Sequence, residues 1–113
     1  MARYIPKRGD IMWMSLDPVA GHEQAGVRPV VVVSPVHFNR STGLAYVVPV
    51  TSKRKGYPTE LPIDGIRIHG MALASSLRSI DWRERKPTFA EVCPPSALKK
   101  IQGMIMTILS EPE

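Results

Sequence analysis

The chain has 113 residues, a formal net charge of +5 and one cysteine. That length fits one domain, residues 1–113, and the 43% of hydrophobic residues excludes a disordered chain. Cys93 alone excludes an intrachain disulfide and a multi-cysteine metal site, and it predicts a buried thiol in a cytoplasmic protein. No apolar run is long enough for a membrane span or a secretory signal, so no membrane association is expected.

Seven short segments rich in apolar and β-branched residues predict a mainly β chain, because turn residues interrupt them. They cover residues 10–16, 30–34, 44–51, 58–63, 70–75, 77–82 and 88–93. Pro49 lies inside the third segment and predicts an edge position or a bulge there, since proline has no N–H to donate. Many short strands and eleven prolines indicate a small barrel or a strongly bent sheet.

The last segment has a different hydrophobic period. After Pro94 and Pro95 the pattern predicts an α-helix over residues 96–110, with Ser96 as its N-cap. We expect its apolar face to pack on the sheet, and that face carries Leu98, Ile101, Ile105 and Ile108.

The stretch GHEQAGVRP, residues 21–29, gathers polar groups on a loop that enters a buried strand. Arg28 precedes a proline, so its backbone is biased to an extended conformation, and its planar guanidinium suits phosphate oxygens. His22 titrates near neutrality and could exchange protons. Glu23 could orient a base or pair with Arg28. The alternative interpretation is a polar surface loop with an ion pair of little energetic weight.

A second polar stretch, TSKRKGYP, covers residues 51–58. Its three adjacent cations, Lys53, Arg54 and Lys55, precede Tyr57. Cations beside an aromatic ring suit a single-stranded nucleic acid, which offers phosphates and bases. A solvated loop that aids solubility is the alternative. The net positive charge likewise favours RNA or DNA as a partner, with a merely basic surface as the other possibility.

Other residues give weaker signals. His37 and His69 have no metal-ligand neighbour at useful spacing, so we expect surface or hydrogen-bonded structural roles. Trp13 is expected in the core, whereas Trp82 could lie in the core or at a surface. No paired acids, phosphate loop, HExxH motif or dinucleotide fingerprint is present. The sequence therefore predicts neither a metal site nor a cofactor.

Several motifs in order resemble the MazF/PemK (Kid) family of toxin endoribonucleases. They are RGDIMW, LDPVAGHEQAGVRPVVVVSP, VVPVTSK, KGYPTEL and SIDWRER, and the resemblance runs from about residue 4 to residue 109. It implies an SH3-like, PemK-type curved β-barrel with a C-terminal α-helix. It also implies a homodimer with RNA across the dimer face.

By the same resemblance, the protein would cleave single-stranded RNA at short sequences, without a metal and without the ribosome. The products would carry a 2′,3′-cyclic phosphate and a 5′-hydroxyl, and growth would stop because translation is inhibited. A cognate antitoxin would cover the RNA site with an acidic C-terminal tail.

The resemblance also assigns roles to residues. Arg28 and Thr51 would be catalytic, with His22 as an alternative acid or base and Glu23 as an orienting group. Arg28 would stabilise charge on the phosphorane. The residues expected to contact RNA are Gln24, Lys53, Arg54, Lys55, Tyr57, Ser75, Ser76 and Arg78.

The chain departs from the family pattern in the stretch GMALASSLRSID. Relatives commonly carry Asp or Asn there, sometimes with Arg, where this chain has Ser75 and Leu73. That departure excludes a carboxylate general base at this position and leaves the identity of the base open. Two alternatives therefore stand beside the nuclease: a basic barrel that binds RNA without cutting, and a gyrase poison like the CcdB toxins, which share the barrel fold.

Overall fold

The computed structural model describes residues 4–17 and 26–113. These residues form seven strands, three α-helices and one 3-10 turn at Ala74–Ser76. The strands are β1 Asp10–Ser15, β2 Val27–Val32, β3 Leu44–Thr51, β4 Glu60–Asp64, β5 His69–Leu73, β6 Arg78–Asp81 and β7 Thr88–Val92. The helices are α1 Val36–Thr42, α2 Trp82–Arg85 and α3 Pro95–Ser110.

The strands form one antiparallel sheet that curls into a half-barrel. Its order is β4-β5-β3-β2-β1-β7, and β6 pairs with the first half of β3. One edge of β3 therefore pairs with two strands in turn, with β6 through Leu44–Val47 and with β5 through Val50 and Thr51. The mainly β fold with a C-terminal helix is thus confirmed.

Side chains alternate between the two faces of a strand, and both faces of the central strands are buried by a core cluster. One core cluster lies between the sheet and α3; it contains Ile11, Val31, Val48, Val50, Ile63, Ile68, Ala72, Cys93, Ala97 and Ile101. The second cluster occupies the other face and contains Met12, Met14, Leu16, Val30, Val32, Ala45, Val47, Ile80 and Trp82. Cys93 is a buried thiol, as the sequence predicts.

Pro49 does not lie on an edge strand, and that alternative is wrong. It is fully buried and sits opposite Val30 in the centre of the sheet. Tyr46 directs both its N–H and its carbonyl to the β2 side of β3. Pro49, three positions on, therefore faces the opposite side, where neither β5 nor β6 has a residue paired with it. Because no strand lies opposite at this gap, the N–H that proline lacks removes no hydrogen bond from the sheet.

The helices differ from the sequence prediction at their ends. The C-terminal helix begins at Pro95 with Pro94 as its N-cap and no side-chain cap, so Ser96 is not the capping residue. Leu98 and Ile105 pack on the first core cluster, but Ile108 is 38% exposed, so only the first turns of the apolar face are buried.

Helices α1 and α2 were not predicted because they are too short to show a helical period. Trp82 starts α2 rather than ending a strand, since the Asp81 side chain caps the helix by accepting the Glu84 N–H. The indole of Trp82 is buried and donates to the Asn39 carbonyl. Across residues 4–17 and 26–113, no helix combines the length and apolar character needed to cross a membrane.

Candidate functional site

A pocket of about 410 Å³ opens at the end of β3. Strand β2, the loop after β3, the start of β4 and the 3-10 turn each contribute side chains to its wall. We call it the basic pocket; its lining residues are Arg28, Thr51, Lys53, Lys55, Tyr57, Thr59, Glu60, Leu73, Ser75 and Ser76. Two polar stretches that are distant in the sequence therefore meet at one place on the surface.

Arg28 and Thr51 come from neighbouring parts of the sheet. Arg28 lies in β2 opposite Met14, and Thr51 is the last residue of β3 and pairs with Met71. Thr51 is only 7% exposed, and its Oγ1 accepts the Lys53 N–H at 3.2 Å. A hydroxyl that accepts one N–H keeps its own hydrogen for donation to a ligand oxygen.

Gly70 fixes the backbone behind Thr51. A Cβ at Gly70 would lie 2.5 Å from the Thr51 carbonyl oxygen, which is backbone and cannot swing aside. Any larger residue at this position would push β5 away from β3. The absence of a side chain at Gly70 thus helps to set the position of Thr51 in the pocket.

Glu60 shapes the loop that carries the pocket cations. Its carboxylate is 7% exposed and accepts the Lys55 N–H at 3.1 and 3.2 Å and the Gly56 N–H at 3.0 Å. Gly56 has a φ of +83°, a conformation that suits glycine. Sequence patterns do not indicate this role, because Glu60 lies inside a predicted strand. Its contacts with the loop four and five residues earlier appear only in the folded chain.

The basic pocket gathers seven of the residues expected in the site: Arg28, Thr51, Lys53, Lys55, Tyr57, Ser75 and Ser76. Arg54 is exposed in the same loop but does not line the pocket. Arg78 also lies outside it, and its guanidinium donates to the Leu16 carbonyl at 3.1 Å. His22, Glu23 and Gln24 lie outside the described residues.

A second pocket, of about 270 Å³, adjoins the first one. We call it the lateral pocket; its lining residues are Trp13, Val27, Arg28, Pro29, Val50, Thr51, Ser52, Arg67, Ile68 and His69. Arg28 and Thr51 line both pockets and so separate them. The expectation that Trp13 lies in the core is wrong: its side chain is 42% exposed, while its neighbours Met12 and Met14 point into the second core cluster.

The two histidines with weak signals are both exposed. His69 Nδ1 lies 2.9 Å from Asp64 Oδ1 at the base of the turn between β4 and β5, which agrees with a hydrogen-bonded structural role. His37 is exposed on α1. Within residues 4–17 and 26–113, no group of three His, Cys, Asp or Glu side chains is arranged to hold a metal ion.

Both pockets present groups suited to a polyanion with planar rings. Arg28, Lys53 and Lys55 supply positive charge, and Thr51, Ser75 and Ser76 supply hydroxyl groups. Tyr57 is 62% exposed and offers one aromatic face, and Trp13 offers another. Guanidinium and hydroxyl donors bind phosphate oxygens, while exposed aromatic rings stack on bases.

Comparison with known proteins identifies the family of the chain. Residues 7–109 match the family described as "PemK-like, MazF-like toxin of type II toxin-antitoxin system". The endoribonuclease toxin MazF of Escherichia coli K12 is 41% identical over 109 residues, which cover 96% of this chain and 98% of the relative.

Solved structures show the same fold. The crystal structure of MazF from Deinococcus radiodurans superposes with a TM-score of 0.89 at 39% identity, covering 94% of this chain and 97% of the other. A MazE–MazF complex from the same organism gives a TM-score of 0.84 at 38% identity, covering 96% and 99%. The chain therefore belongs to the PemK-like, MazF-like toxins of type II toxin–antitoxin systems, and as a member of this family it is an endoribonuclease.

Proposed function

We propose that this endoribonuclease cuts single-stranded RNA at short sequences, with the scissile phosphate held between Arg28 and Thr51. The observation that carries the proposal is the position of these two side chains, which line both pockets at once. A phosphate at that point has room for RNA on either side. Arg28 offers a planar charged fork, and the Thr51 hydroxyl can donate a hydrogen bond.

The nucleophile in this proposal is the RNA itself. The 2′-hydroxyl next to the scissile phosphate loses its proton, its oxygen attacks phosphorus, and the bond from phosphorus to the 5′-oxygen breaks. That oxygen takes a proton, so the products are a 2′,3′-cyclic phosphate and a 5′-hydroxyl. Arg28 and Thr51 stabilise the negative charge that builds on the phosphorane, which is commonly the largest catalytic term.

The proton transfers are assigned by residue type. A histidine side chain ordinarily titrates near neutral pH, so His22 is the candidate acid or base, with Glu23 as its orienting group or as an alternative base. Ser75 stands where relatives commonly carry an acidic or amide residue, so no carboxylate acts from that position. Because none of these steps needs a metal ion, the reaction is proposed to be metal-independent.

The pocket cations bind the RNA chain. Lys53 and Lys55 contact phosphates, Arg54 contributes to the field around the same loop, and Tyr57 stacks on a base. Ser75, Ser76 and Gln24 offer hydrogen bonds to base edges or sugars. Arg78 is a weaker candidate, since it lies outside the pocket and its guanidinium is engaged by the Leu16 carbonyl.

The cellular role follows from the family. We propose that residues 1–113 act as one toxin domain in the cytoplasm, cutting mRNA and so inhibiting translation and growth. An antitoxin with an acidic tail is the expected partner, because such a tail complements the basic pocket and the net charge of +5. A homodimer is also proposed, and light scattering should then return twice the chain mass of 12.5 kDa.

The decisive experiment uses two RNAs that differ by one oxygen. One is all-RNA, and the other carries a single 2′-deoxy nucleotide just 5′ of the cleaved bond. We expect the second RNA to bind nearly as well and to remain uncut at that bond. Cutting at the usual rate would mean that water or a side chain attacks. Binding of all-RNA without cutting would favour the non-cleaving RNA-binding module, and trapped gyrase–DNA complexes would favour a gyrase poison.

A further inference from the structure

An RNA strand whose scissile phosphate lies between Arg28 and Thr51 has one nucleoside on each side of that phosphate. The basic pocket can hold one of them, and the lateral pocket lies on the other side of the same two residues. We propose that the lateral pocket is a subsite for this second nucleoside, with Trp13 stacking on its base and Arg67 contacting an adjacent phosphate. The proposal rests on the RNA cleavage proposed above.

Trp13 is placed to stack on a base. It lies in β1 opposite Pro29, so the ring is held by a strand paired on both sides, with β2 and β7, rather than by a loop. Its side chain is 42% exposed, whereas Trp82, the second tryptophan of the chain, is 3% exposed. An exposed indole on a rigid strand offers a flat surface to a base at little entropic cost.

The charged wall of the lateral pocket comes from the turn between β4 and β5. Arg67 is exposed on this turn, and His69 follows at the start of β5. The contact of His69 with Asp64 spans the two strands of the hairpin, so this imidazole is already engaged by a carboxylate. Arg67 is therefore the cation that the turn contributes toward a phosphate.

Glu91 of β7 holds the turn in place. Its carboxylate accepts three consecutive backbone N–H groups, from Ile66 at 2.9 Å, Arg67 at 2.8 Å and Ile68 at 2.6 Å. A Cβ at Gly65 would lie 2.8 Å from Glu91 Oε1, so glycine lets the carboxylate come this close. Burial alone would raise the pKa of Glu91, but the three N–H donors outweigh it and hold that pKa below its ordinary value.

The turn is therefore built in advance of binding, and the backbone of Arg67 is fixed by a residue 24 positions away in the sequence. An anionic anchor is unexpected next to an RNA site, because a carboxylate repels phosphate. Its three hydrogen bonds account for its presence, because the three backbone N–H donors partly neutralise the negative charge of the carboxylate. Glu91 is thus a positioning residue for the lateral pocket.

The first test measures binding to RNA that cannot be cut, with the single 2′-deoxy nucleotide described above. Three RNAs are compared: the intact strand, one with an abasic site 5′ of the scissile phosphate, and one with an abasic site 3′ of it. The proteins are the unmodified chain and W13L. The control is Y46L, because Tyr46 is also 42% exposed and lines neither pocket.

We expect W13L to bind the intact strand about 5- to 150-fold more weakly, the range typical of base–aromatic stacking. One of the two abasic strands should show a similar loss with the unmodified chain and no further loss with W13L. The control should stay within about twofold. If the loss from W13L and the loss from the abasic site multiply for both abasic strands, no base stacks on Trp13 and the subsite is wrong. RNA cleavage by the unmodified chain would still support the proposed function.

The second test addresses Glu91 through the salt dependence of binding. Removing a negative charge from a basic protein should strengthen RNA binding by simple electrostatics, as expected for the control E113Q. We expect E91Q to weaken it instead, and R67A to lower the slope of log affinity against log salt by about 0.7, the value for one phosphate contact on a single strand. The effects of E91Q and R67A should not add. Stronger binding by E91Q, or simple additivity, would overturn the positioning role, and a chain that binds no RNA would overturn both this and the proposed function.

Discussion

Replacement of Glu60 tests whether the pocket loop must be ordered before RNA binds. The carboxylate accepts the N–H groups of Lys55 and Gly56, and both donors lie in exposed residues. A hydrogen bond to a charged group contributes about 1.5–3 kcal/mol, but water can replace this acceptor at an exposed loop. For E60A we therefore expect a net loss of about 1–2 kcal/mol for the two bonds together.

This loss should appear mainly in RNA binding. If the loop must be reordered in the complex, about 1–2 kcal/mol corresponds to a KM higher by about 5- to 30-fold. Arg28 and Thr51 belong to strands rather than to this loop, so kcat should change by less than about threefold. E60Q keeps one carbonyl acceptor but turns an amide toward an N–H, and its effect should be smaller.

The assay combines steady-state cleavage of a short RNA with amide hydrogen exchange. The N–H groups of Lys55 and Gly56 should lose protection in E60A, and E113Q, which removes the same charge at the C-terminus, serves as the control. Retained protection with an unchanged KM would show that the loop does not depend on Glu60. A large fall in kcat with an unchanged KM would place Glu60 in the chemistry instead.

The remaining predictions concern the chemistry and the core. Cleavage should persist in EDTA, and activity that disappears on chelation and returns with magnesium would contradict the metal-independent mechanism. R28A and T51A should each reduce kcat by about 100-fold or more with the circular dichroism spectrum unchanged. R28K should not restore the rate, because lysine lacks the planar guanidinium fork. Near-normal rates in both alanine variants would move the active site elsewhere. Burial, with a smaller contribution from Glu91, raises the pKa of the Cys93 thiol to about 11, so iodoacetamide should label the native chain slowly at neutral pH and rapidly in urea. Fast labelling of the native chain would mean that Cys93 is accessible and more acidic.

The sequence by itself determined most of the architecture. All seven strands, including Leu44–Thr51 to the residue, and the C-terminal helix were predicted, because alternation, turn residues and helical period are local properties. Resemblance to the family also indicated Arg28 and Thr51, and the run of cations beside an aromatic residue indicated Lys53 and Tyr57. The structure places these four around the basic pocket.

Tertiary structure decided how these residues are held and which faces are open. Glu91 lies 23 to 25 positions from the N–H groups that it accepts, and no local pattern pairs a strand carboxylate with a distant turn. The sequence suggests a core position for Trp13 because it lies in an apolar strand. Its exposure depends on which segments cover that face of the sheet, and the sequence does not show this. The sequence suggests an edge position for Pro49 because a proline normally disrupts a central strand. In the folded chain the partner of β3 changes from β6 to β5, and this change leaves a gap opposite Pro49. In each case the outcome depends on segments that meet only after folding, so the sequence fixes the side chain but not its surroundings.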